Sequence, residues 1–224
     1  MGPLYGYFPN NSKTKLLVKS EFLSRAEYVF GDTGVQICTD GGKHLGGALG
    51  NEEFVRTFLQ NKVDEWREEV EMLVNIAQTQ PQAAYAAFTH GVISKWNYIF
   101  RIMDFQASAT TDLLQPLEAA MRLRLLPALS GQPPPNNLLR EMFSFPPKLG
   151  GLGIIDPTPT ASEQHHASVK VTAPLVENVL QQSPISQPGS FQGQIKTMVR
   201  AAKTETSLVV RWVTAVRHFQ PGVQ

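Results

Sequence analysis

From Asn51 onward the apolar residues Val55, Leu59, Val63, Trp66, Val70, Leu73 and Ala77 recur every three or four positions. That is the period of an α-helix, and it predicts one helix about 40 Å long with a single side turned to a core. A stripe of this length constrains the rest of the chain, because an amphipathic helix is stable in water only when other elements cover its apolar side. Two more stripes follow. Pro81 suits a first helical turn, and Tyr85, Phe88, Val92, Trp96, Ile99 and Met103 trace the second. Thr111 opens a third helix with Leu113, Leu114, Leu117, Met121, Leu125 and Leu126 inward and Pro116 in its first turns. Short connections and complementary stripes predict that the three helices pack as a bundle.

Before Asn51 the pattern differs. Residues 14–19 read as a short strand. Ser20 is placed to cap a helix over Glu21–Phe30, and Gly31 to end it. Val35–Thr39 alternates apolar and polar side chains. Asp40-Gly41-Gly42 then supplies a turn into a hairpin strand over His44–Leu49. The result is a β-α-β-β piece, too small to be a complete core. It is expected to expose an apolar strand edge and to be less stable than the bundle. After Pro133-Pro134-Pro135 come a short helix at Asn137–Phe143, a glycine-rich segment at Lys148–Ile155 and a helix near Ala161–Lys170. A Gln, Ser, Pro and Gly-rich linker at 181–193 and a last amphipathic helix at Ile195–Phe219 complete the chain. The expected fold is α+β and predominantly α-helical, with segments at 1–50, 51–130 and 131–224 and no internal repeat.

An apolar fraction of 42% marks a globular chain, and no run approaches the ~18 apolar residues of a membrane span. No membrane partner is expected. Cys38 is the lone cysteine, which fits a reducing compartment, and Met1 is not followed by a basic and then an apolar region. Both point to an intracellular protein, nuclear or cytoplasmic, in which the Asn10-Asn11-Ser12 sequon has no use. A net charge of +1 makes no global case for binding nucleic acid, so any such case rests on local clusters.

The chain has no G-x-S-x-G elbow, no phosphate loop of the G-x-x-x-x-G-K-[ST] type and no H-E-x-x-H. Glu163, His165 and His166 are close in sequence, but adjacent histidines on a helix point about 100° apart, so a solvated helix is preferred to a metal site. Lys148-Leu-Gly-Gly-Leu-Gly-Ile154 lacks the full dinucleotide fingerprint and reads as a packed loop. Glu68, Glu69 and Glu71 read as a solvated helix face. Lys13 stands in an Asn-Asn-Ser-Lys-Thr turn that leads into a strand. Its amine is thereby free to neutralise a phosphate or give a proton to a leaving group, or simply to be a surface lysine. His44-Leu45-Gly46 is a hairpin strand whose glycines permit close backbone approach.

Taken in order, Gly6, Asn11-Ser12-Lys13-Thr14, Lys43-His44-Leu45-Gly46, the helices and Leu149-Gly-Gly-Leu-Gly153 resemble the later half of a retrotransposon reverse transcriptase, closest to the non-LTR type, over residues 2–170. The resemblance implies that the first element closes the palm, with Lys13 assisting pyrophosphate departure as an accessory general acid. It implies that His44, Leu45 and Gly46 form a primer-grip-like hairpin, that Asn51–Leu129 is a thumb, and that the segment from residue 131 is connection-like. The ligand would be an RNA–DNA or DNA template-primer, and an upstream polymerase portion would be a partner.

The chain departs from the family at the metal centre. The family's nucleotidyl transfer uses two metal ions held by aspartates, including a Tyr-x-Asp-Asp turn upstream of the lysine element. This chain has no Asp-Asp pair, and Glu21, Glu27, Asp32 and Asp40 lack that context. It is therefore expected to hold no metal or cofactor and not to polymerise alone; an intact polymerase would need Mg2+. On the second helix Ser94, Asn97, Tyr98 and Arg101 share a face, with Lys95 at its edge, suited to sequence-independent phosphate contacts or to ordinary solvation. Lys95, Asn97 and Arg101 are the nucleic-acid candidates there, and Arg122 and Arg124 are weaker ones. The alternative is a helical protein-interaction module that docks a partner along Val55–Ala77.

Overall fold

The computed structural model describes residues 10–107 and 110–182, with Gly6, Gly193 and Lys196. The expected helix at Ile195–Phe219 and most of the 181–193 linker lie outside the described residues. The fold is α+β and mostly helical, as expected, and the chain forms two compact units that meet in sequence between Asn61 and Lys62.

The first unit contains β1 (Lys15–Leu17), α1 (Leu23–Phe30), β2 (Gln36–Cys38), β3 (Gly41–His44), β4 (Gly47–Gly50) and the start of α2 (Glu52–Ala77). β1 and β2 pair in parallel, Leu16 opposite Ile37, with α1 as the crossover between them. Ser20 does not cap α1: it begins a 3-10 turn, Ser20–Phe22, and no side chain caps the helix. Gly31 does not reverse the chain either. It keeps helical angles, a second 3-10 turn runs over Gly31–Thr33, and the reversal comes at Gly34, where φ is 76°.

The hairpin also departs from expectation. Its turn lies at Leu45-Gly46, with φ of 45° and 80°, and not at Asp40-Gly41-Gly42. β3 and β4 pair antiparallel as a second two-stranded sheet, Lys43 opposite Ala48 and His44 opposite Gly47. Gly41 is needed inside β3 for space rather than for a turn, since a Cβ there would run into the Phe54 ring. Asn51 then caps α2, accepting from the Phe54 N–H (2.8 Å). The buried apolar residues of this unit are Ala26, Ala48, Phe58 and Leu59, whereas Phe22, Tyr28, Val29, Leu45 and Leu49 are more than half exposed.

The second unit continues α2 and adds α3 (Pro81–Ala87), α4 (Ile93–Ile102), α5 (Gln115–Ala120), α6 (Leu126–Ser130), α7 (Asn137–Ser144) and α8 (Pro157–Leu180). The expected stripes form its core. Val63, Trp66, Val70, Leu73 and Ala77 are buried with Phe88, Trp96, Ile99 and Met103, and so are Leu113, Leu114, Leu117, Met121, Leu125 and Leu126. Burying Val55–Ala77 in this way, with only Val55 partly open, removes it as a free docking surface. Trp66 and Trp96 lie 5.6 Å apart between ring centres, Phe100 stands edge-on to Trp66 at 5.7 Å, and Phe88 edge-on to Trp96 at 5.4 Å.

Two π-helical turns, Phe88–Val92 and Met121–Leu125, were not foreseen. The first has a packing reason. Phe88 and Trp96, two turns apart, would be about 80° out of line on a regular α-helix. The wider turn takes up that offset and brings both rings into one core. The third helix opens at Gln115 rather than Thr111, whose hydroxyl donates instead to the Ala107 carbonyl (2.9 Å). α8 exceeds the expected Ala161–Lys170 at both ends. Asp156 caps it, accepting from the Thr158 N–H (2.9 Å), and Pro174 lies within it. α8 packs along α4 and reaches α5.

Candidate nucleic-acid interface

Lys13 sits in a 3-10 turn, Asn11–Lys13, pinned at both ends before β1 begins. Its own N–H donates to the Asn10 carbonyl (3.1 Å), as does the Thr14 hydroxyl (3.0 Å), and the Asn11 side-chain amide donates to the Thr33 carbonyl (2.9 Å). The backbone is therefore held while the Lys13 side chain stays exposed. His44 ends β3, and His44, Leu45 and Gly46 are all exposed, Leu45 at 78%. Lys43 lies over the Phe58 ring, 5.7 Å from its centre, a cation–π contact that orients the amine without neutralising it. Among the described residues none of Lys13, Lys15, Lys43 and His44 is joined to a carboxylate.

The α4 candidates are in a different state. Lys95 is paired with Glu69 of α2 (2.5 Å), and Arg101 donates from Nε to the Gln164 side chain of α8 (3.1 Å). Asn97 is half-buried rather than exposed, and its Oδ1 is buried without a partner among the described residues. The face that looks free on one helix is partly covered because α4 packs on α8 as well as on the core. Arg124 pairs with Glu71 (2.9 Å), and Arg122 donates to the Pro135 carbonyl (3.0 Å). Glu69 and Glu71 thus serve as cross-helix partners rather than a merely solvated face.

The glycine-rich segment cannot cradle a phosphate, because its amides are already used. Leu152 and Ile154 donate to the Phe143 carbonyl (3.2 and 3.0 Å) and Gly153 to that of Phe145 (2.7 Å). The Tyr85 hydroxyl donates to the Leu152 carbonyl (2.7 Å), and a Cβ on Gly151 would strike the Phe145 carbonyl. It is a packed loop, as expected. Among the described residues no three His, Cys, Asp or Glu side chains converge to hold an ion. His165 stands 4.0 Å from Asp104, too far for a hydrogen bond.

One cluster had no local signal. Arg140 is 4% exposed and grips both oxygens of Glu118 (2.6 and 2.7 Å), while also donating to the Ile154 and Ile155 carbonyls (2.8 and 3.0 Å). The partners are far apart in sequence, so no spacing rule finds them. Among the described residues no helix is long and apolar enough to cross a membrane. No family model matches the chain, and neither a curated protein nor a solved structure matches it significantly.

Proposed function

We infer that the chain is a nucleic-acid-contacting remnant of a reverse transcriptase of mobile-element origin, acting inside the cell beside an upstream polymerase portion. It would hold a template-primer rather than carry the metal-dependent chemistry. One observation carries this reading: the first unit presents Lys13, Lys43 and His44 exposed, on a pinned turn and a tight hairpin, with no carboxylate among the described residues paired to them. Two unneutralised lysines beside an imidazole that can donate a hydrogen bond, all on rigid elements, suit phosphate contacts that are indifferent to sequence. Lys95 and Arg101 are expected to add less, since each would first have to leave its present partner.

The test is fluorescence anisotropy of the full chain with a short RNA–DNA hybrid over a salt series. Binding should weaken as salt rises, each phosphate contact removed by Lys13→Ala or Lys43→Ala should flatten the log–log slope by up to ~0.9, and His44→Ala should weaken binding. No binding, or binding indifferent to salt, would sink the proposal. A second reading, a protein-interaction module, is favoured by the exposed Phe22, Tyr28 and Val29 at α1, and not by the buried Val55–Ala77 stripe. Salt-independent association with a protein partner, lost on Tyr28→Ser with Val29→Ser, would support it.

A further inference from the structure

We propose that β1 accepts one more strand: an extended, carboxylate-bearing segment of a partner polypeptide, laid along its unpaired edge. The parallel register sets which backbone groups are committed. Gln36 donates to the Thr14 carbonyl and Val18 to the Cys38 carbonyl (both 3.0 Å), so the Thr14 carbonyl, the Leu16 polar groups and the Val18 N–H are directed at β2. Those of Lys15 and Leu17 then face the other way, and among the described residues the sheet has no third strand to meet them. β3 approaches β1 without joining its ladder.

The side chains along this edge specify the occupant. Leu16 and Val18 turn inward and are half-buried, while Lys15, Leu17 and Lys19 are exposed on the other face. A strand laid beside them would place alternate residues against Lys15, Leu17 and Lys19, so the matching pattern is acidic, apolar, acidic. Residues 1–20 contain no Asp or Glu, and the next residue, Glu21, lies 3.9 Å from Lys19 with both side chains in solvent. Edge lysines ordinarily deter strand pairing. Here they would deter a second copy, by setting Lys15 and Lys19 against lysines, while admitting a strand of opposite charge.

The experiment uses the full chain and a synthetic peptide, Thr-Glu-Thr-Val-Thr-Glu-Thr, which presents two glutamates and a valine on one face. Hydrogen exchange resolved by NMR should show the Lys15 and Leu17 amides slowed by the peptide. Replacing both glutamates by lysines should weaken binding at least tenfold. Leu17→Pro should do the same, since it removes an edge N–H that the β1–β2 ladder does not use together with the apolar side chain at the middle of the row. Lys15→Glu with Lys19→Glu should reverse the preference towards the lysine peptide. Unslowed Lys15 and Leu17 amides, or equal binding of both peptides, would overturn the proposal. So would concentration-dependent slowing without peptide, which would assign the edge to a second copy. Displacement of bound peptide by the RNA–DNA hybrid would assign these lysines to phosphate instead. Loss of hybrid binding in Lys13→Ala or His44→Ala with peptide binding intact would separate this edge from the proposed template-primer surface.

Discussion

Arg140 and Glu118 face each other as a fork on a fork, two parallel hydrogen bonds of 2.6 and 2.7 Å between an arginine 4% exposed and a half-buried glutamate. The same guanidinium holds the Ile154 and Ile155 carbonyls, so one side chain ties α5, α7 and the start of α8 together.

Arg140→Met should therefore destabilise the protein by about 3–5 kcal/mol, read as a fall in the urea midpoint, because it strands the Glu118 carboxylate and two carbonyls. Adding Glu118→Leu should recover part of that loss, not all of it, since the carbonyls of Ile154 and Ile155 stay unpaired. A loss below about 1 kcal/mol would show that the fork is solvated.

Burial pushes the Glu118 carboxyl above its ordinary value of 4.5, and the Arg140 hydrogen bonds oppose that rise. A carboxyl whose pKa is higher folded than unfolded binds more protons when folded. Its contribution is complete below the unfolded value and lost as pH rises through the raised folded value. Urea midpoints of wild type and Glu118→Gln, compared from pH 4 upward, should diverge in that window and run parallel above it.

Trp96 is fully buried between Trp66 and Phe88. Trp96→Ala should cost about 3–5 kcal/mol, measured by thermal or urea unfolding. Lys95→Ala, one residue away, removes an ion pair whose lysine is exposed and whose Glu69 is largely buried, and should cost about 1 kcal/mol, well below the loss at Trp96.

Amide exchange should be faster over residues 14–49 than over the buried helices of the second unit. The first unit rests on two two-stranded sheets and leaves Phe22, Tyr28, Val29, Leu45 and Leu49 more than half exposed. Greater protection in the strands than around Val63–Val74 would contradict this.

Much of the helical unit was legible because its information is periodic. Every third or fourth apolar residue from Leu59 to Ala77 is buried, and so are Leu113, Leu114, Leu117, Met121, Leu125 and Leu126. The hairpin was misplaced because glycine has two uses. Gly41 reads as a turn residue, yet it serves close packing against Phe54, while the turn falls to Leu45-Gly46. α8 runs past Lys170 because it accommodates Pro174 in its interior, where a proline ordinarily breaks a helix.

The candidate site divides along the same line. Lys13 could be placed on a turn before a strand from local residues alone, because a turn is a property of a few adjacent side chains and backbone angles. Whether a cation is available is not local. Lys95 lost that availability to Glu69 and Arg101 gained a partner in Gln164, both from helices distant in sequence, while Lys13 and Lys43 meet no carboxylate among the described residues. Periodicity determines which side of a helix is buried, because it is set by the residues of that helix. Which charges remain unneutralised is set by neighbours that only folding brings together.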